Sequence, residues 1–463
     1  MARGKFQKKP TFRLAPILII LIAIALVIFF MIRILEDPAR TPTGPEETIP
    51  PITTTVPQET ETEPPTTEPP TEPTTEPPTE PFIVSTASVG VTGDILIHSP
   101  VYNAAYQGSG VYDFRSMFTY IAEYYESFDY MIANLEVTLS GADIGYSSYP
   151  LFNCPDAIAD ALVNAGVDMA LTANNHTYDK GHKGLIRTQE VLTEKGLDHL
   201  GTRTSEELPF YTIQDINGIQ VGMVCYTYET GNTSDGRKTL NGIPVDKADG
   251  NLISSFNPYD LGEFYEDVEN VLAAMEENGA EATMLFIHWG NEYQTKQTTD
   301  QTLIAQKLAE LGVDVLVGGH PHVIQPFDTI VTESGHTMYC IYSLGNALSN
   351  QRRTNIESAP NGHTEDSMIF SVTFEKWNDG SVKIQEIDIL PIWVSKGWDN
   401  AKGNEYYIIP LDLENSNWED FDISDTDYLY GSYKRTMQIV GNGLNEARES
   451  LGLPTKPLTA EQE

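Results

Sequence analysis

The chain has 463 residues and a formal net charge of −38, and residues 82–463 hold 21 basic against 55 acidic residues. So acidic a surface repels polyanions, which excludes nucleic acid and anionic lipid as partners of that part of the chain. An anionic substrate would have to be held by local cations, above all by metal ions. The three cysteines, Cys154, Cys225 and Cys340, lie in or beside apolar segments and are expected to be buried free thiols without a disulfide.

The first 33 residues predict a membrane anchor. A basic tail, residues 1–13, precedes an apolar run from Leu14 to Ile32, so residues 14–33 are predicted to cross a bilayer as one helix. The basic flank favours a cytoplasmic N-terminus, which places the rest of the chain outside the cell. The alternative is a cleaved signal peptide, but the apolar run is longer than that of a signal and no small-residue cleavage site follows it.

Residues 34–81 are rich in proline, threonine and glutamate, as in TEPPTTEPPTEPTTEPPTEP. Such a segment cannot bury a core, and its composition predicts a disordered, semi-rigid stalk. Together with the anchor, the stalk predicts a single-pass protein of the cell membrane whose main domain is extracellular.

Strand-like and helix-like segments alternate from residue 85 onward, which is typical of a layered α/β fold. In chain order they are strand ASVGVTGDIL, helix FRSMFTYIAEYYESF, strand YMIANLEVTL, helix PDAIADALVNAG, strand VDMALTAN, helix GLIRTQEVLTEKG, a helix near 260–278, strand ATMLFIHWG, helix TLIAQKLAELG and strand VDVLVGG.

Three hairpins, turning at Asn217-Gly218, ESGH and NDGS, indicate that the sheets are mixed rather than purely parallel. Residues 229–258 are predicted to be a polar loop insertion. Residues 424–451 are predicted to form a C-terminal helix. The chain is therefore divided into a main domain at 82–400 and an extension at 401–463 that contains this helix.

Five of the predicted strands end in side chains that commonly bind metals. They are VGVTGD with Asp94, MIANLE with Asn134 and Glu136, MALTANNHTYDKG with Asn174, Asn175, His176 and Asp179, MLFIHWGNE with His288 and Glu292, and VLVGGHPH with His320 and His322. Because sites in open α/β sheets form outside the carboxyl ends of the strands, these side chains are expected to converge on one pocket. Carboxylate, amide and imidazole groups suit Mn, Zn or Fe, and two such ions bridged by one carboxylate are the usual clamp for phosphate-ester hydrolysis.

Each motif also has a simpler structural explanation. The NNHTYDKG segment fits an Asx-turn that begins the next helix, and Gly93-Asp94 or Asn134-Leu135-Glu136 alone is weak evidence for a site. The joint order of the five motifs is what favours a metal site. The other histidines lack such a context and are predicted to be surface residues or to support the ligands: His98, His182, His199, His336 and His363.

In this order the motifs resemble the CapA family, which is associated with poly-γ-glutamate capsule synthesis. The family pattern is a strand-end GD, then NLE, NNHxxDxG, HWGxE, GxHPHVxQP and YSLGN, and it is found here between Gly93 and Asn346. The family in turn resembles the calcineurin-like metallophosphoesterases, most nearly the 5′-nucleotidase branch. This resemblance covers about residues 85–395 and implies a four-layer αββα metallo-dependent phosphatase-like sandwich with two divalent metal ions.

The resemblance implies a ligand set for each metal. Asp94 and His322 match ligands of the first metal, Glu136 stands where the branch has a bridging aspartate, and the matches for the second metal are Asn175, His288 and His320. Leu96 departs from the pattern, because the nucleotidases have a D-x-H histidine at this position. The first metal is thereby left with Asp94, Glu136, His322 and water.

The resemblance also implies a function. His176 and Asp179 match a pair in which the imidazole stabilises or protonates the leaving group, as in a hydrolase or transferase acting on an anionic polymer or a phosphorylated or amide-linked precursor. Polymer-ligase or export proteins would be its partners. The alternative is a non-catalytic polymer anchor or export component, which Leu96 favours and the His176–Asp179 pair disfavours. An extracellular 5′-nucleotidase-like phosphoesterase is disfavoured, because that branch usually adds a nucleotide-binding domain for which too little chain follows residue 395.

Overall fold

The computed structural model describes residues 80–359, 361–397, 406–413, 421 and 427–458. The predicted basic tail (1–13), the membrane helix (14–33) and all but the last two residues of the stalk (34–81) lie outside this part of the chain. Among the described residues, no helix combines the length and apolar character needed to cross a membrane.

The described residues form nineteen strands and seven α-helices. The strands are β1 (Ile83–Ile95), β2 (Tyr106–Gly108), β3 (Val111–Tyr112), β4 (Tyr130–Leu135), β5 (Met169–Leu171), β6 (Asp198–Leu200), β7 (Tyr211–Ile216), β8 (Ile219–Tyr228), β9 (Gly231–Asn232), β10 (Lys238–Leu240), β11 (Ile243–Pro244), β12 (Ser255–Phe256), β13 (Ala282–His288), β14 (Val315–Gly319), β15 (Phe327–Val331), β16 (Thr337–Ile341), β17 (Asp366–Trp377), β18 (Val382–Lys396) and β19 (Tyr406–Pro410). The helices are α1 (Ser99–Ala104), α2 (Ala122–Glu126), α3 (Ala157–Asn164), α4 (Gly181–Lys195), α5 (Gly262–Glu277), α6 (Thr299–Leu311) and α7 (Asp427–Ser450).

Two seven-stranded sheets make up most of the fold. Sheet I has the strand order β19-β18-β17-β1-β4-β5-β6, and sheet II has the order β12-β8-β13-β14-β16-β15 with β7 paired to β8. The strands β1, β4 and β5 of sheet I are parallel to one another, as are β8, β13 and β14 of sheet II. Antiparallel hairpins β17–β18 and β15–β16 extend the two sheets. The predicted α/β class with mixed sheets is confirmed.

Both faces of both sheets are covered. Along β8, Val221, Met223 and Cys225 face the core between the sheets, whereas Val224 and Tyr226 face α5 and α6. Successive side chains of a strand point to opposite faces, so strands that are apolar almost throughout must be buried on both sides. Helices α1 to α4 pack on the outer face of sheet I. The layers therefore follow the order helix, sheet, sheet and helix. The three cysteines are buried and free, as predicted.

Two local predictions were wrong. The FRSMFTYIAEYYESF segment is not one helix but a 3-10 helix, Arg115–Phe118, followed by the short α2. The 3-10 helix and α2 both bury apolar residues three or four positions apart, so the sequence pattern does not distinguish two short helices from one long helix. Residues 229–258 are not a plain loop, because β9 to β11 form a small sheet and β12 extends sheet II. These strands have two or three residues, too few for a strand periodicity to show.

Helix α7, predicted at 424–451, packs along β15 and β18. Its ion pair with the start of β17 is bidentate: Arg435 donates from Nε at 2.6 Å and from Nη2 at 2.7 Å to the buried Asp366 carboxylate. Its apolar side joins the core between the two sheets through Leu429, Tyr433, Met437, Val440, Leu444 and Ala447. The helix thus completes the central core.

Gly443 lets α7 lie directly against β15, because a Cβ at this position would be 1.8 Å from the Phe327 carbonyl oxygen. Gly443→Ala is expected to destabilise the protein by about 1–3 kcal/mol through this overlap, although alanine favours an unconstrained helix by about 1 kcal/mol. The exposed neighbour provides a control, since Asn442→Ala should change the free energy of unfolding by at most about 0.5 kcal/mol. Urea unfolding measures both, and a Gly443→Ala protein more stable than the wild type would contradict the close contact.

Candidate metal centre

The predicted ligands from both sheets point into the space between the sheets, at the carboxyl ends of the parallel strands. Ile132 of β4 faces the central core, so the alternation along the strand directs Asn134 and then Glu136 to the same side. Phe286 of β13 faces the core from sheet II, and His288 follows it two residues later on the same side. The regular alternation of two strands therefore brings a carboxylate and an imidazole face to face.

Asp94 reaches this space because β1 is irregular near its end. The pairing of β1 with β4 shifts register between Thr92 and Asp94, and such a bulge turns the next side chain to the other face of the sheet. Gly93 lies inside the bulge, where a Cβ would be 2.0 Å from the Gly345 carbonyl oxygen. That oxygen also accepts the Asp94 N–H at 2.9 Å. The glycine of the YSLGN motif thus holds the bulge in place.

The GGHPH segment after β14 has a strained backbone. His320 and His322 have φ values of 97° and 56°, in the left-handed region that residues other than glycine rarely adopt. Gly318 allows the segment to pass close to the next loop, because a Cβ there would lie 2.0 Å from the Tyr342 carbonyl oxygen. Such strain persists only where the surroundings enforce it, and it concentrates at functional sites. Here it turns both imidazoles toward the carboxylates.

Two groups of buried side chains share Glu136. Ligand atoms of Asp94, Glu136 and His322 lie within 4.8 Å of one another, and so do those of Glu136, His288 and His320. His322 Nδ1 is 3.1 Å from Asp94 Oδ2, and its Nε2 is 3.8 Å from Glu136 Oε1. His288 Nε2 is 3.5 Å from the same Glu136 oxygen. Glu136 therefore lies where a carboxylate could bridge two cations.

Three asparagines surround these groups. Asn175 Oδ1 is 3.1 Å from His288 Nε2, which places it beside the second group. Asn134 Nδ2 donates to Asp94 Oδ1 at 2.7 Å, and Asn174 Nδ2 lies 3.3 Å from Asn134 Oδ1. The structure thus brings all six predicted ligands together. Asn134 and Asn174, in contrast, hold the Asp94 carboxylate in position.

The side chains present fit divalent cations. Both carboxylate oxygens of Glu136 and the Nδ1 atom of His320 are buried and lack a hydrogen-bond partner within the described residues. A buried carboxylate that accepts no hydrogen bond is costly, and a bound cation removes that cost. The six predicted ligands comprise three imidazoles, two carboxylates and one amide. Such a mixture of nitrogen and oxygen ligands suits Mn, Zn or Fe, whereas calcium prefers sites made of oxygen atoms alone.

The three ligands with shifted pKa values differ in charge. Burial lowers the pKa of His322, but the Glu136 charge and the hydrogen bond with Asp94 outweigh it and raise the pKa to about 9. Burial raises the pKa of Asp94, but the bond and charge of His322 bring it below its ordinary value. Burial, followed by the charges of His288 and His322, lowers the pKa of His320 well below the ordinary value. At neutral pH His320 is therefore a free base, whereas His322 carries a proton that a cation must displace.

Cation binding is therefore expected to release a proton. Because His322 is protonated below about pH 9, the apparent affinity should fall about tenfold for each pH unit below that value. Calorimetric titration of the metal-free protein with Zn²⁺ or Mn²⁺, in two buffers of different ionisation enthalpy, gives the number of protons released on binding. His336→Gln, outside the centre, should leave the dependence of the metal affinity on pH unchanged. An affinity that does not vary between pH 6.5 and 8.5 would show that His322 is not a ligand in this way.

His176 and Asp179 form a separate pair next to the ligands. His176 Nδ1 is 2.8 Å from Asp179 Oδ2, and both side chains are buried. The same Asp179 oxygen accepts the Phe152 N–H at 2.6 Å, and the Phe152 ring packs edge-on against His176 with centroids 4.7 Å apart. Because Asp179 occupies Nδ1, Nε2 is the nitrogen through which His176 can exchange a proton with a substrate.

Two tyrosines at the centre were not predicted from the sequence. The Tyr228 ring lies 4.7 Å from the His320 ring and 6.4 Å from the His288 ring, measured between centroids. Tyr293, with a φ of 62°, lies 6.3 Å from the His322 ring. The one available signal was strand alignment, since Tyr228 ends β8, which pairs in parallel with the histidine-bearing β13.

The other polar candidates lie outside both ligand groups. Glu292 is exposed at the surface. His98 is half-buried, and its ring packs edge-on against Phe152 with centroids 5.3 Å apart. His182 Nδ1 is 2.7 Å from Asp249 Oδ1, which links the start of α4 to the 229–258 segment. Also outside the groups are His199, His336 and His363. Leu96 is buried and apolar, so it supplies no ligand in place of the D-x-H histidine.

The fold and this centre define a mixed α/β protein with a buried cluster of potential metal ligands at its strand ends. Residues 88–351 match the model of the bacterial capsule synthesis protein PGA_cap. The chain belongs to this family, which is part of the metallophosphoesterase-like superfamily. The matched segment includes every predicted ligand and the His176–Asp179 pair.

Two relatives are named for capsule or polymer synthesis. The capsule biosynthesis protein CapA of Bacillus anthracis is 26% identical over 314 residues, which cover 66% of this chain and 67% of that protein. The PGA biosynthesis protein CapA of Bacillus subtilis (strain 168) is 24% identical over 307 residues, covering 65% of this chain and 71% of that protein.

Two solved structures show weaker similarity. The protein TT1561 of Thermus thermophilus has a TM-score of 0.30 and 9% identity, covering 62% of this chain and 94% of that chain. Purple acid phosphatase PPD1 from yellow lupin (Lupinus luteus) seeds has a TM-score of 0.33 and 12% identity, covering 74% of this chain and 56% of that chain. At these TM-scores neither similarity identifies a fold or a function for this chain.

Proposed function

We propose that this chain is a metal-dependent hydrolase or transferase of capsule or cell-surface polymer synthesis. It acts on an anionic polymer, or on a phosphorylated or amide-linked precursor. The observation that carries this proposal is Glu136, whose two oxygens accept no hydrogen bond from the described residues and lie between two groups of buried side chains. Membership of the capsule synthesis family and the names of the two relatives support a polymer as the substrate.

The centre would hold two divalent cations, Mn, Zn or Fe, in a phosphatase-like αββα sandwich. One set of ligands is Asp94, Glu136 and His322, and the other is Glu136, Asn175, His288 and His320. When bound, the cations stabilise negative charge on a substrate oxygen and lower the pKa of water. Asn134 keeps the Asp94 carboxylate oriented through its 2.7 Å hydrogen bond.

His176 supplies the proton. Asp179 accepts a hydrogen bond from Nδ1–H, which fixes the orientation and the tautomer of the ring. Nε2 then donates its proton to the leaving oxygen or nitrogen as the bond from that atom to the reacting centre breaks. Water, in hydrolysis, or an acceptor group, in transfer, forms the new bond to that centre and loses a proton to solvent. Phe152 packs against the ring and keeps bulk water from that side.

The proposed anchor and stalk would put this chemistry outside the cell. In this proposal residues 14–33 span the membrane with the N-terminus in the cytoplasm, and residues 34–81 hold the domain away from the bilayer. Membrane-bound polymer-ligase or export proteins are the expected partners, because a capsule polymer must be made and moved across the same membrane.

One observation favours a second candidate, a non-catalytic polymer anchor or export component. Leu96 is buried and apolar where a nucleotidase has a histidine ligand, so the first cation has three protein ligands. A site of that kind could bind a polymer through its cations without turning it over.

Measuring metal content and turnover together distinguishes the two candidates. The purified full-length chain should contain close to two cations, determined by mass spectrometry. It should cleave or transfer poly-γ-glutamate, detected as new amino termini or altered chain length, and a chelator should stop the reaction. Full metal occupancy without any change in the polymer or in a phosphorylated precursor would favour the anchor.

A further inference from the structure

Lys396, the last residue of β18, is a part-buried cation that forms no ion pair with any described residue. Its Nζ donates to Asn350 Oδ1 at 2.9 Å and lies 5.2 Å from the centre of the Tyr406 ring. Tyr406 Oη donates to the same Asn350 oxygen at 2.6 Å. Burial, and then the charge of Arg352, lower the pKa of Lys396. Neutral groups thus fix the ammonium in place without neutralising it.

The neighbouring side chains leave this region positive. Arg352 Nη2 is 3.3 Å and Arg353 Nη2 is 2.7 Å from the same oxygen of Glu365, so two guanidinium groups share one carboxylate. Lys396, Arg352 and Arg353 are cations and Glu365 is an anion, so these four side chains carry a net charge of +2. Residues 82–463 as a whole hold 55 acidic against 21 basic residues. Among the described side chains this positive charge is not compensated, and in so acidic a domain it attracts an anionic ligand.

This region lies at the same edge of sheet I as the ligands. β18 is antiparallel to β17 and β17 is antiparallel to β1, so Lys396 and Asp94 both lie near strand ends at one edge. Strand spacing and rise place them on the order of 15 Å apart. Asn350 links the two places, because its N–H donates to His98 Nδ1 at 3.3 Å. His98 packs against Phe152, which also contacts the proposed proton donor.

We propose that Lys396 and Asn350 form a subsite for an anionic group of the substrate, a carboxylate or a phosphate, at some distance from the reacting bond. The proposal rests on the function proposed above and narrows its substrate to a chain with repeated negative charges. Lys396 has N–H bonds to spare after the one to Asn350. The Asn350 oxygen already accepts two bonds, which fixes the amide so that Nδ2 is free to donate to the anion.

Binding of a γ-linked glutamate hexamer to the full-length chain, measured by calorimetry at low salt, tests the subsite. Lys396→Met should weaken binding at least about tenfold, the effect of losing one charge-assisted hydrogen bond. Lys396→Arg should restore most of the affinity. The control is Lys383→Met, at the other end of β18, whose Nζ lies 5.2 Å from the Trp377 ring; it should change affinity less than twofold. Thermal unfolding verifies that each variant folds.

Two further probes identify the anion. A γ-linked isoglutamine hexamer, in which carboxamides replace the α-carboxylates along the chain, should bind weakly, with no further loss in Lys396→Met. Tripolyphosphate tests the phosphate alternative: if its affinity depends on Lys396 and that of the glutamate hexamer does not, the anion is a phosphate. If neither ligand loses affinity in Lys396→Met, or if Lys383→Met weakens them equally, the subsite does not exist.

Binding and turnover can fail separately. A protein that binds the hexamer through Lys396 yet forms no product would refute the catalytic function and keep the subsite. Product formation with unchanged affinity and unchanged KM in Lys396→Met would refute the subsite and keep the catalytic function.

Discussion

Replacing Glu136 with glutamine should release bound cations and abolish activity. Glu136 is the one side chain common to both ligand groups, so its charge serves two cations at once. We expect metal affinity to fall by more than about a hundredfold, since even residues that only support a ligand contribute ten- to a hundredfold. Metal content after dialysis, measured by mass spectrometry, gives the result directly.

Two measurements separate this effect from misfolding. Glu292→Gln removes an exposed carboxylate from the HWGNE motif, outside both ligand groups, and should retain the metal. The metal-free Glu136→Gln protein should unfold near the midpoint of the metal-free wild type, because glutamine has the same shape and does not bring an unpaired charge into the core. Full metal content in Glu136→Gln would rule out a bridging carboxylate.

The positions of the predicted ligands could be anticipated because each lies at, or a few residues beyond, the carboxyl end of a strand. Sheet strands that are apolar on both faces are recognisable in the sequence, and a polar residue at their carboxyl end must lie at the sheet edge. His288 and His320 needed no more information than this. Asp94 is different, since its direction depends on the bulge at Gly93, which regular alternation does not anticipate.

Residues that reach the centre through tertiary packing could not be predicted. Tyr228 resembles any aromatic residue of a buried strand, and only the parallel pairing of β8 with β13 brings it to His320. Lys396 comes to the ligand-bearing edge because β17 and β18 form a long hairpin beside β1. No short motif records either contact, since each depends on which strands become neighbours.

The small sheet in residues 229–258 shows another limit. The segment is held by bonds within itself, such as that from Lys238 Nζ to Ser255 Oγ at 2.7 Å. It is also held by contacts to other parts of the chain, such as that between Asp249 Oδ1 and His182 Nδ1 at 2.7 Å. Asn241, beside these strands, comes within 3.5 Å of His176 Nδ1. The conformation of such a polar segment depends on the residues it contacts, so local composition predicted a loop where the structure has short strands beside His176.

Replacing His176 with alanine should lower turnover by about a hundred- to ten-thousandfold, the usual contribution of a general acid. His176 is bonded to Asp179 and belongs to neither ligand group. Metal content and thermal stability should therefore stay close to those of the wild type. Turnover of the polymer and metal content, measured on the same preparation, give the test.

Two comparisons make this result specific to the proton donor. His182→Ala removes a nearby imidazole that pairs with Asp249 rather than with Asp179 and should reduce turnover far less. His320→Ala should lose activity together with metal, because a cation missing one imidazole is held much less tightly. If His176→Ala instead retains full turnover with full metal content, the pair has no catalytic role. The three-ligand first site beside Leu96 would then be better explained by a polymer anchor than by an enzyme.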